Sequence, residues 1–270
     1  AGNPATAGRG KSGFVGNKLK HYYKHAYLKN PANANTFPGG GGGTPEATFA
    51  NVKVLLLMEG ANGQETYTSE DAGARVLTPF GSGTVLDTSQ FKFGSSSMKT
   101  PGTSTYWKFP NTDNLDIASG DDFCIEAWVK CTDFGLNNCA VASLPLSWHC
   151  GLSNLSTHGG NRWNNNLDNR STEDLDINLA LGATEIVDND WNHVAWAKEG
   201  TTLRTFIGGA LISENTITDL GMGLATHEIR IGHFSETSFY LDGWIDSFRY
   251  TVGEPVYTAA FTPPTAQFPT

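Results

Sequence analysis

Long apolar runs are absent from this 270-residue chain, and their absence argues against a membrane-spanning helix. The longest apolar run is Val54–Met58, whereas a membrane-spanning helix needs about 20 apolar residues. The opening residues, AGNPATAGRGKSG, also lack the apolar core of a secretory signal peptide. We therefore expect no membrane partner, and we expect synthesis in a cytosol without export by a standard signal.

Helical patterning is scarce as well. Charged side chains make up 17% of the chain and aromatic residues 11%, while glycine occurs 31 times. After residue 50, no segment of useful length repeats its apolar residues with the period of a helix. This profile favours strands joined by tight turns, in one large all-β domain or two small domains.

Cysteine is confined to four residues within the 27-residue window 124–150. In a cytosolic product, such cysteines are expected to be reduced, partly buried thiols. One disulfide, such as Cys139–Cys150, is the alternative in a particle that matures outside the cell. Paired close spacings of the C-x-x-C or H-x-x-x-H kind are missing, so we expect no zinc site.

Acidic residues are absent from the first 45 residues, which carry six basic residues and a charge of +6. The other 225 residues carry 12 basic and 27 acidic side chains, a charge of −15. Residues 17–29 predict a short helix with tyrosines along one stripe, and the five consecutive glycines at 39–43 predict a flexible linker. We predict a basic N-terminal arm over 1–38, a linker over 39–48 and a folded domain over 49–270.

The arm is the clearest indication of a partner. A lone helix of this length is marginal in water and needs a surface to dock on. A basic, tyrosine-rich surface suits an acidic protein, and the alternatives are nucleic acid, a membrane surface or a disordered solubilising tail. Because the body is acidic, we expect no nucleic-acid partner for the domain. The predicted anchoring residues are Lys18, Lys20, Tyr22, Tyr23, Lys24 and Tyr27.

After residue 49 the chain alternates apolar and polar residues with the period of a strand. The alternation is clearest in 123–130, where Phe123, Ile125 and Val129 are predicted to be buried. Further strands are predicted at 52–58, 191–198, 202–207, 228–232 and 243–250, with turns at 188–190 and 208–209. Many short strands with turn signals predict an all-β fold, a two-sheet antiparallel jelly-roll sandwich carried on a basic, partly helical N-terminal arm.

The order of several segments resembles laminin G-like (concanavalin A-like) jelly-roll domains over about 220 residues. The resemblance is carried by an opening strand and turn, a Lys-Phe-Gly turn before a Ser-rich strand, a hallmark strand, a later hairpin and a closing tail. In the sequence these are VKVLLLMEGANG, QFKFGSSSMKT, DDFCIEAWVK, WNHVAWAKEGTTLRTFIGGALI and GWIDSFRYTVGEPVYTAAFTPPT. The resemblance implies a β-sandwich over roughly residues 50–270.

The closing segment is similar to laminin G-like modules of tailed-phage structural proteins. This resemblance implies a non-enzymatic virion protein, a capsid decoration or a tail- or fibre-associated protein, made in the host cytoplasm. The domain would be displayed on the virion surface and aid adhesion to the host, while the arm would bind other virion proteins. The sequence leaves open whether the chain forms homo-oligomers.

Two other function classes compete with that interpretation. One is a carbohydrate-binding module of a cell-surface protein, and the other is a glycoside hydrolase. A hydrolase on this sandwich needs paired carboxylates alternating along one strand. The nearest candidate, Glu173–Asp176, has the wrong spacing because Asn178 stands where a second Glu is needed, so a solvated loop entering a strand is expected instead.

Two candidate ligand sites follow from the sequence. By resemblance, Glu59 and Asp246 are the residues that would help to hold calcium, and the alternative is that both simply bind turn backbone. Departures from the family pattern, Glu59 in place of Asp and Ser247 in place of an acidic residue, weaken that site. Four residues of a loop-rich stretch are predicted to bind glycan, because aromatic rings and amide groups suit a sugar. The alternative is that they occupy core or solvated positions. These residues are Trp148, Trp163, Asn164 and Asn165.

Overall fold

A computed structural model describes residues 46–111, 115–118, 120–132, 139–145, 148–153, 162–169, 173–180, 187–217, 228–233 and 240–270. The N-terminal arm, with its six predicted anchoring residues, lies outside these ranges, so the arm and the domain boundaries stay predictions. No helix in the ranges that are described is long and apolar enough to cross a membrane.

The described ranges contain sixteen strands and a single 3-10 turn, Phe49–Asn51. The strands are β1 (Val52–Leu56), β2 (Tyr67–Thr68), β3 (Val76–Phe80), β4 (Val85–Asp87), β5 (Ser97–Pro101), β6 (Tyr106–Pro110), β7 (Phe123–Cys131), β8 (Cys139–Leu144), β9 (Trp148–Ser153), β10 (Arg162–Asn169), β11 (Glu173–Ala180), β12 (Asn192–Glu199), β13 (Thr202–Ile207), β14 (Ala210–Thr216), β15 (Glu228–Ile231) and β16 (Asp242–Val252).

These strands form two antiparallel sheets of eight that pack as a sandwich. Sheet 1 has the order β14-β13-β12-β7-β16-β5-β4, with β1 also paired to β16. Sheet 2 has the order β11-β10-β9-β8-β15-β6-β3-β2. The predicted all-β, two-sheet architecture is therefore confirmed, and the six predicted strands fall on β1, β7, β12, β13, β15 and β16.

Strand β7 shows why the two sheets pack together. Its odd-numbered residues from Phe123 to Cys131 belong to the core between the sheets, while Glu126 and Trp128 lie on the outer face of sheet 1. Phe123, Ile125 and Val129 are at most 2% exposed, which confirms their predicted burial. The alternation thus sets which side chains the sandwich hides and which it turns outward.

Strand β16 is the most heavily shared strand of sheet 1. It pairs with β7 along one side, and along the other side it pairs first with β5 and then with β1. A bulge between Asp246 and Arg249 interrupts its pairing with β7, and Ser247 has a φ of 49° there. The bulge places Asp246 where β5 gives way to β1, beside the turn that precedes β5.

The chain after β16 folds back over the outer face of sheet 1. Tyr257 and Phe261 stack on one another and pack with Phe206. Further along the tail, Phe268 covers Leu55 and Leu57, the residues of the β1 region that face away from the main core. Part of the outer face of sheet 1 is therefore a second, smaller core.

The cysteines differ in part from the sequence-based expectation. Cys131 is disulfide-bonded, so the prediction of four reduced thiols is wrong at that position. The alternative of a disulfide is correct, but its example pair, Cys139–Cys150, is wrong because Cys150 is a free thiol. Cys150 lies in the core on β9, and burial raises the pKa of its thiol. Cys124 is the second free and buried cysteine of the described residues.

Candidate functional site

The residues predicted to bind glycan do not form one exposed loop. Trp148 is 2% exposed and packs in the core, where its ring centre lies 5.8 Å from that of Tyr250. This burial corrects its assignment as a ligand contact and agrees with the alternative of a core position. Trp163, Asn164 and Asn165 lie on β10, which pairs with β9 and β11. The stretch predicted to be loop-rich is therefore largely paired strand, including β11 at Glu173–Ala180.

The two residues predicted to hold calcium both bind the turn before β5. The Glu59 carboxylate accepts hydrogen bonds from Ser95 N, at 3.0 Å, and from Ser95 Oγ, at 2.6 Å. It lies against Gly94, whose φ is 65° and where a Cβ would come within 1.5 Å of Glu59 Oε1. The Lys-Phe-Gly turn of the sequence therefore needs its glycine, because the Glu59 side chain occupies the space beside it.

Asp246 holds the same turn from beneath. Its Oδ2 accepts hydrogen bonds from Lys92 N at 2.6 Å and Phe93 N at 3.0 Å. Burial raises the pKa of this carboxyl to about 6, although the turn amides and Ser247 lower it, and the nearby charge of Glu59 raises it further. No group of three or more His, Cys, Asp or Glu side chains within the described residues is arranged to hold a metal ion. The calcium site stays a prediction, and the contacts seen here match its alternative, backbone binding.

A buried charged cluster lies between sheet 1 and the C-terminal tail. Glu126 accepts hydrogen bonds from Arg249 Nε at 2.8 Å and Tyr257 Oη at 2.7 Å, and His193 Nε2 lies 3.1 Å away. Burial alone would raise the pKa of Glu126, but the Arg249 charge and the His193 contact lower it to about 2. Glu126 is thus an ionised carboxylate with its partners in place and only 1% exposed, which suits structure and not proton transfer.

The outer face of sheet 2 carries a stack of four rings, which we call the ring stack: Phe80, Tyr106, His233 and Tyr240. Neighbouring ring centres are 4.8, 4.7 and 4.4 Å apart, with interplanar angles of 16°, 12° and 21°. The stack crosses from β3 to β6 and then to the end of β15, because Phe80 pairs with Tyr106 across the sheet. Gly232, with a φ of 86°, breaks the strand alternation so that His233 stands beside Tyr106.

One end of the ring stack is open. Phe80 is 45% exposed, whereas Tyr106 and His233 are buried. Strand β2 pairs with β3 only at Val76 and Leu77, so at Phe80 strand β3 is the edge of the sheet within the described residues. Phe80 therefore presents an aromatic ring that is rigidly backed by three others and open toward solvent.

Charged groups flank the ring stack and link to one another through Glu228. Lys108 Nζ lies 2.9 Å from Glu228 Oε2, and Arg230 Nε donates to Glu228 Oε1 at 3.2 Å. Burial would raise the pKa of Glu228, but its bond to Lys108 and the charge of Arg230 lower it below the ordinary value. Lys108 Nζ also lies 5.6 Å from the Phe80 ring centre. A hydrogen-bond donor, Lys108, therefore lies near the open ring, and its partner Glu228 links it to Arg230 beside Tyr106.

The open Phe80 ring and the charged groups near it together have the chemistry of a saccharide-binding surface. The apolar face of a sugar ring stacks on an aromatic ring, and its hydroxyls bind ammonium, guanidinium and carboxylate groups. Sequence patterns did not identify the site, since its rings come from three separate regions of the chain. The available signal was Phe80, an aromatic residue next to Pro79 in an edge strand, where proline is tolerated.

The two packed antiparallel sheets define a jelly-roll sandwich domain. The chain belongs to the concanavalin A-like lectin/glucanase superfamily, whose laminin G-type family model matches residues 101–260. The predicted laminin G-like relationship is thus confirmed, whereas the tailed-phage origin is not shown. No curated protein sequence matches the chain significantly.

Solved structures share this fold at low sequence identity. Domain 4 of an extracellular arabinanase from Geobacillus stearothermophilus, in complex with arabinotriose, is 13% identical with a TM-score of 0.52, over 73% of this chain and 95% of that one. The binding domain of botulinum neurotoxin serotype G is 15% identical with a TM-score of 0.55, over 70% and 45%. The serotype D ligand-binding domain, in complex with N-acetylneuraminic acid, is 15% identical with a TM-score of 0.53, over 76% and 48%. The chain thus spans less than half of each toxin domain.

Proposed function

We propose that the sandwich is a non-enzymatic glycan-binding domain that docks a sugar ring on Phe80. The observation that carries the proposal is the open end of the ring stack, with Lys108 and Glu228 beside it. Three buried or partly buried rings hold Phe80 in place, so little side-chain freedom is lost when a ligand stacks on it. The similar arabinanase domain binds arabinotriose and the serotype D toxin domain binds N-acetylneuraminic acid, which supports a saccharide as the ligand class.

The absence of enzymatic activity is part of the same proposal. A retaining or inverting glycosidase needs two accessible carboxyl groups on either side of the bond that is cleaved. Glu126, at the centre of the outer face of sheet 1, is sealed under Tyr257 and held by Arg249. Asp246 is fully buried beneath its turn. Both carboxyl groups therefore have structural roles here, which favours binding without hydrolysis.

A substitution on β3 tests the sugar platform with a matched control on the same strand. Phe80→Ala removes the open ring, and we expect affinity for a bound oligosaccharide to fall by about tenfold, from the loss of one stacking contact of about 1.4 kcal/mol. Val76→Ala removes another exposed apolar side chain from the same strand and should leave binding unchanged. Screening the full-length chain on a glycan array, followed by calorimetry, identifies the ligand. Equal affinity of the Phe80→Ala variant and the unaltered protein would show that Phe80 is not part of a sugar-binding site.

We further propose that this binding domain is displayed on a virion, anchored by its N-terminal arm to capsid or tail proteins. The support lies in the sequence: a +6 segment rich in tyrosine, joined by five glycines to a −15 body. The glycines uncouple the two parts, so the arm can take a conformation set by its partner. A displayed sugar-binding domain on such a tether would aid adhesion to a host surface.

Anchoring is tested by particle incorporation. Deleting residues 1–38 should leave the sandwich folded. The shortened chain keeps Glu46 and Thr48, the first described residues that bind the rest of the sandwich. The same deletion should abolish incorporation. Replacing Tyr22, Tyr23 and Tyr27 by Ala should weaken attachment more than neutralising two lysines, since buried aromatic residues carry most interface energy. Normal incorporation of the truncated chain would show that attachment lies in the sandwich itself.

A module of a cell-surface protein is the second candidate. It is favoured by the arabinanase comparison, in which the matched region covers 95% of a domain that is one part of a larger protein. Co-purification distinguishes the two, because a virion protein stays with intact particles through a density gradient whereas a cell-surface module separates from them.

A further inference from the structure

A partly exposed tryptophan lies on sheet 1, on the face opposite to the ring stack. Trp244 is partly exposed on β16, and its neighbours across the sheet are Lys99 on β5 and Lys130 on β7. The two ammonium nitrogens lie 5.6 and 5.8 Å from the Trp244 ring centre. We call these three residues the lysine–indole patch. The indole N–H donates to Asp87 Oδ2 at 2.9 Å, which fixes the ring orientation.

Two of the carboxylates near this patch are already engaged. Asp87 accepts hydrogen bonds from Trp244 and from Ser89 N, and it also forms a long ion pair with Lys99, whose Nζ lies 3.8 Å from Asp87 Oδ2. Asp246 is buried under the turn at residues 92–93. Asp242, two residues before Trp244 on β16, is partly exposed and is the remaining acidic residue on this part of the strand. The Lys99 side chain is 45% exposed, so its ammonium group is accessible.

Additional positive charge lies along the same face. Lys92 Nζ lies 3.9 Å from the ring centre of Trp128, which neighbours Asp246 across the sheet. Lys130 Nζ is oriented by Gln90 Oε1 at 2.8 Å. Three lysines thus converge on two indole rings, although the chain outside the arm carries a charge of −15. A local concentration of cations on an acidic body selects an anionic ligand group.

We propose that the lysine–indole patch is a subsite for an acidic sugar, with its carboxylate or sulfate on Lys99 and Lys130 and its ring against Trp244. This inference rests on the proposal that the sandwich binds glycans, and it adds the charge class of one ligand residue. The fixed indole supplies the apolar contact, and the two ammonium groups on either side supply charge-assisted hydrogen bonds to the anion. The patch and the ring stack lie on opposite outer faces of the sandwich, so separate glycan chains would occupy them.

Nuclear magnetic resonance of the full-length chain tests the subsite directly. The probes are lactose, its sialylated form and its sulfated form, which share one neutral core and distinguish a carboxylate from a sulfate. We expect both acidic forms to shift the indole N–H signal of Trp244, assigned with Trp244→Phe, and to bind at least tenfold more tightly than lactose. Lys99→Gln should weaken acidic binding about tenfold, while the charge-matched control Lys53→Gln on β1 should not.

The outcomes separate this inference from the proposed function. If lactose and its acidic forms bind equally well and Phe80→Ala abolishes both, the acidic subsite is wrong and the glycan-binding function stands. If no saccharide from the array or this set binds, the proposed function fails as well. If inorganic sulfate or an oligo-aspartate peptide shifts the Trp244 signal as strongly as the acidic sugars, the patch recognises charge alone and the sugar subsite is refuted.

Discussion

Replacing Glu126 by Gln tests how much the buried charged cluster stabilises the fold. The change keeps the shape of the side chain but removes the charge that Arg249 faces at 2.6 Å. The pKa of Glu126 falls from 4.5 to about 2 on folding, which corresponds to about 3 kcal/mol of stability at pH 7. Leaving a buried Arg249 without that counterion gives a similar cost, about 3–5 kcal/mol. Glu46, 3.4 Å from Arg249 and largely exposed, compensates only partly.

Urea unfolding at several pH values measures this cost. Because the pKa of Glu126 is depressed in the folded state, its stabilisation is present above pH 4.5 and is lost as pH falls toward 2. The difference in unfolding free energy between the two proteins should therefore be about 3 kcal/mol at pH 7 and about half of that at pH 3. Glu214→Gln is the matched control, because it breaks an exposed pair with Arg204 and should cost less than about 1 kcal/mol. Similar costs for the two variants would refute the reasoning.

Three further predictions concern the turn before β5, its candidate metal and the core. The raised pKa of Asp246 contributes stability that is fully present below its ordinary value of 3.8 and is lost as pH rises through about 6. Acidification from pH 7 to 4 should therefore stabilise the unaltered protein by about 2 kcal/mol relative to Asp246→Asn in urea titrations, and parallel pH profiles would contradict this. If Glu59 and Asp246 help to hold calcium, a chelator should lower the melting temperature and added calcium should restore it, whereas identical melts would remove the calcium site. Ile125→Ala should cost about 2–5 kcal/mol in the same titrations, because Ile125 is 2% exposed in the core, and a cost below 1 kcal/mol would show loose packing there.

Local patterns were enough to predict the sandwich, because strand alternation depends only on neighbouring residues. The β7 and β16 segments were identified within one or two residues of their observed ends. The pattern was less informative where a third layer covers a sheet, because it did not indicate that Phe268 packs on Leu55 and Leu57 of the β1 region. That contact joins residues more than 200 positions apart, and no local period reports it.

The candidate sites show the same contrast between local sequence patterns and contacts that join distant parts of the chain. Glu59 and Asp246 were singled out through family resemblance, and both do meet at one turn. The ring stack was missed because stacking depends on cross-strand register between β3, β6 and β15, which the sequence does not specify. Trp148 was misplaced for a related reason, since an aromatic residue beside polar ones is equally compatible with a buried strand end. Register and burial, not residue type, decide which aromatic rings are available to a ligand.

The position of β16 has a consequence for how the chain acquires its structure. This strand follows all the other described strands in the sequence, yet β1, β5 and β7, from three earlier parts of the chain, all pair with it. Until residues 242–252 have left the ribosome, sheet 1 lacks the strand that joins its two halves, and β1 has no partner in it. Such long sequence separations slow folding and leave unpaired edges exposed in the meantime. Sheet 1 is therefore expected to form only after residues 242–252 have been synthesised, and chains cut short before β16 are expected to aggregate instead of forming half a sandwich.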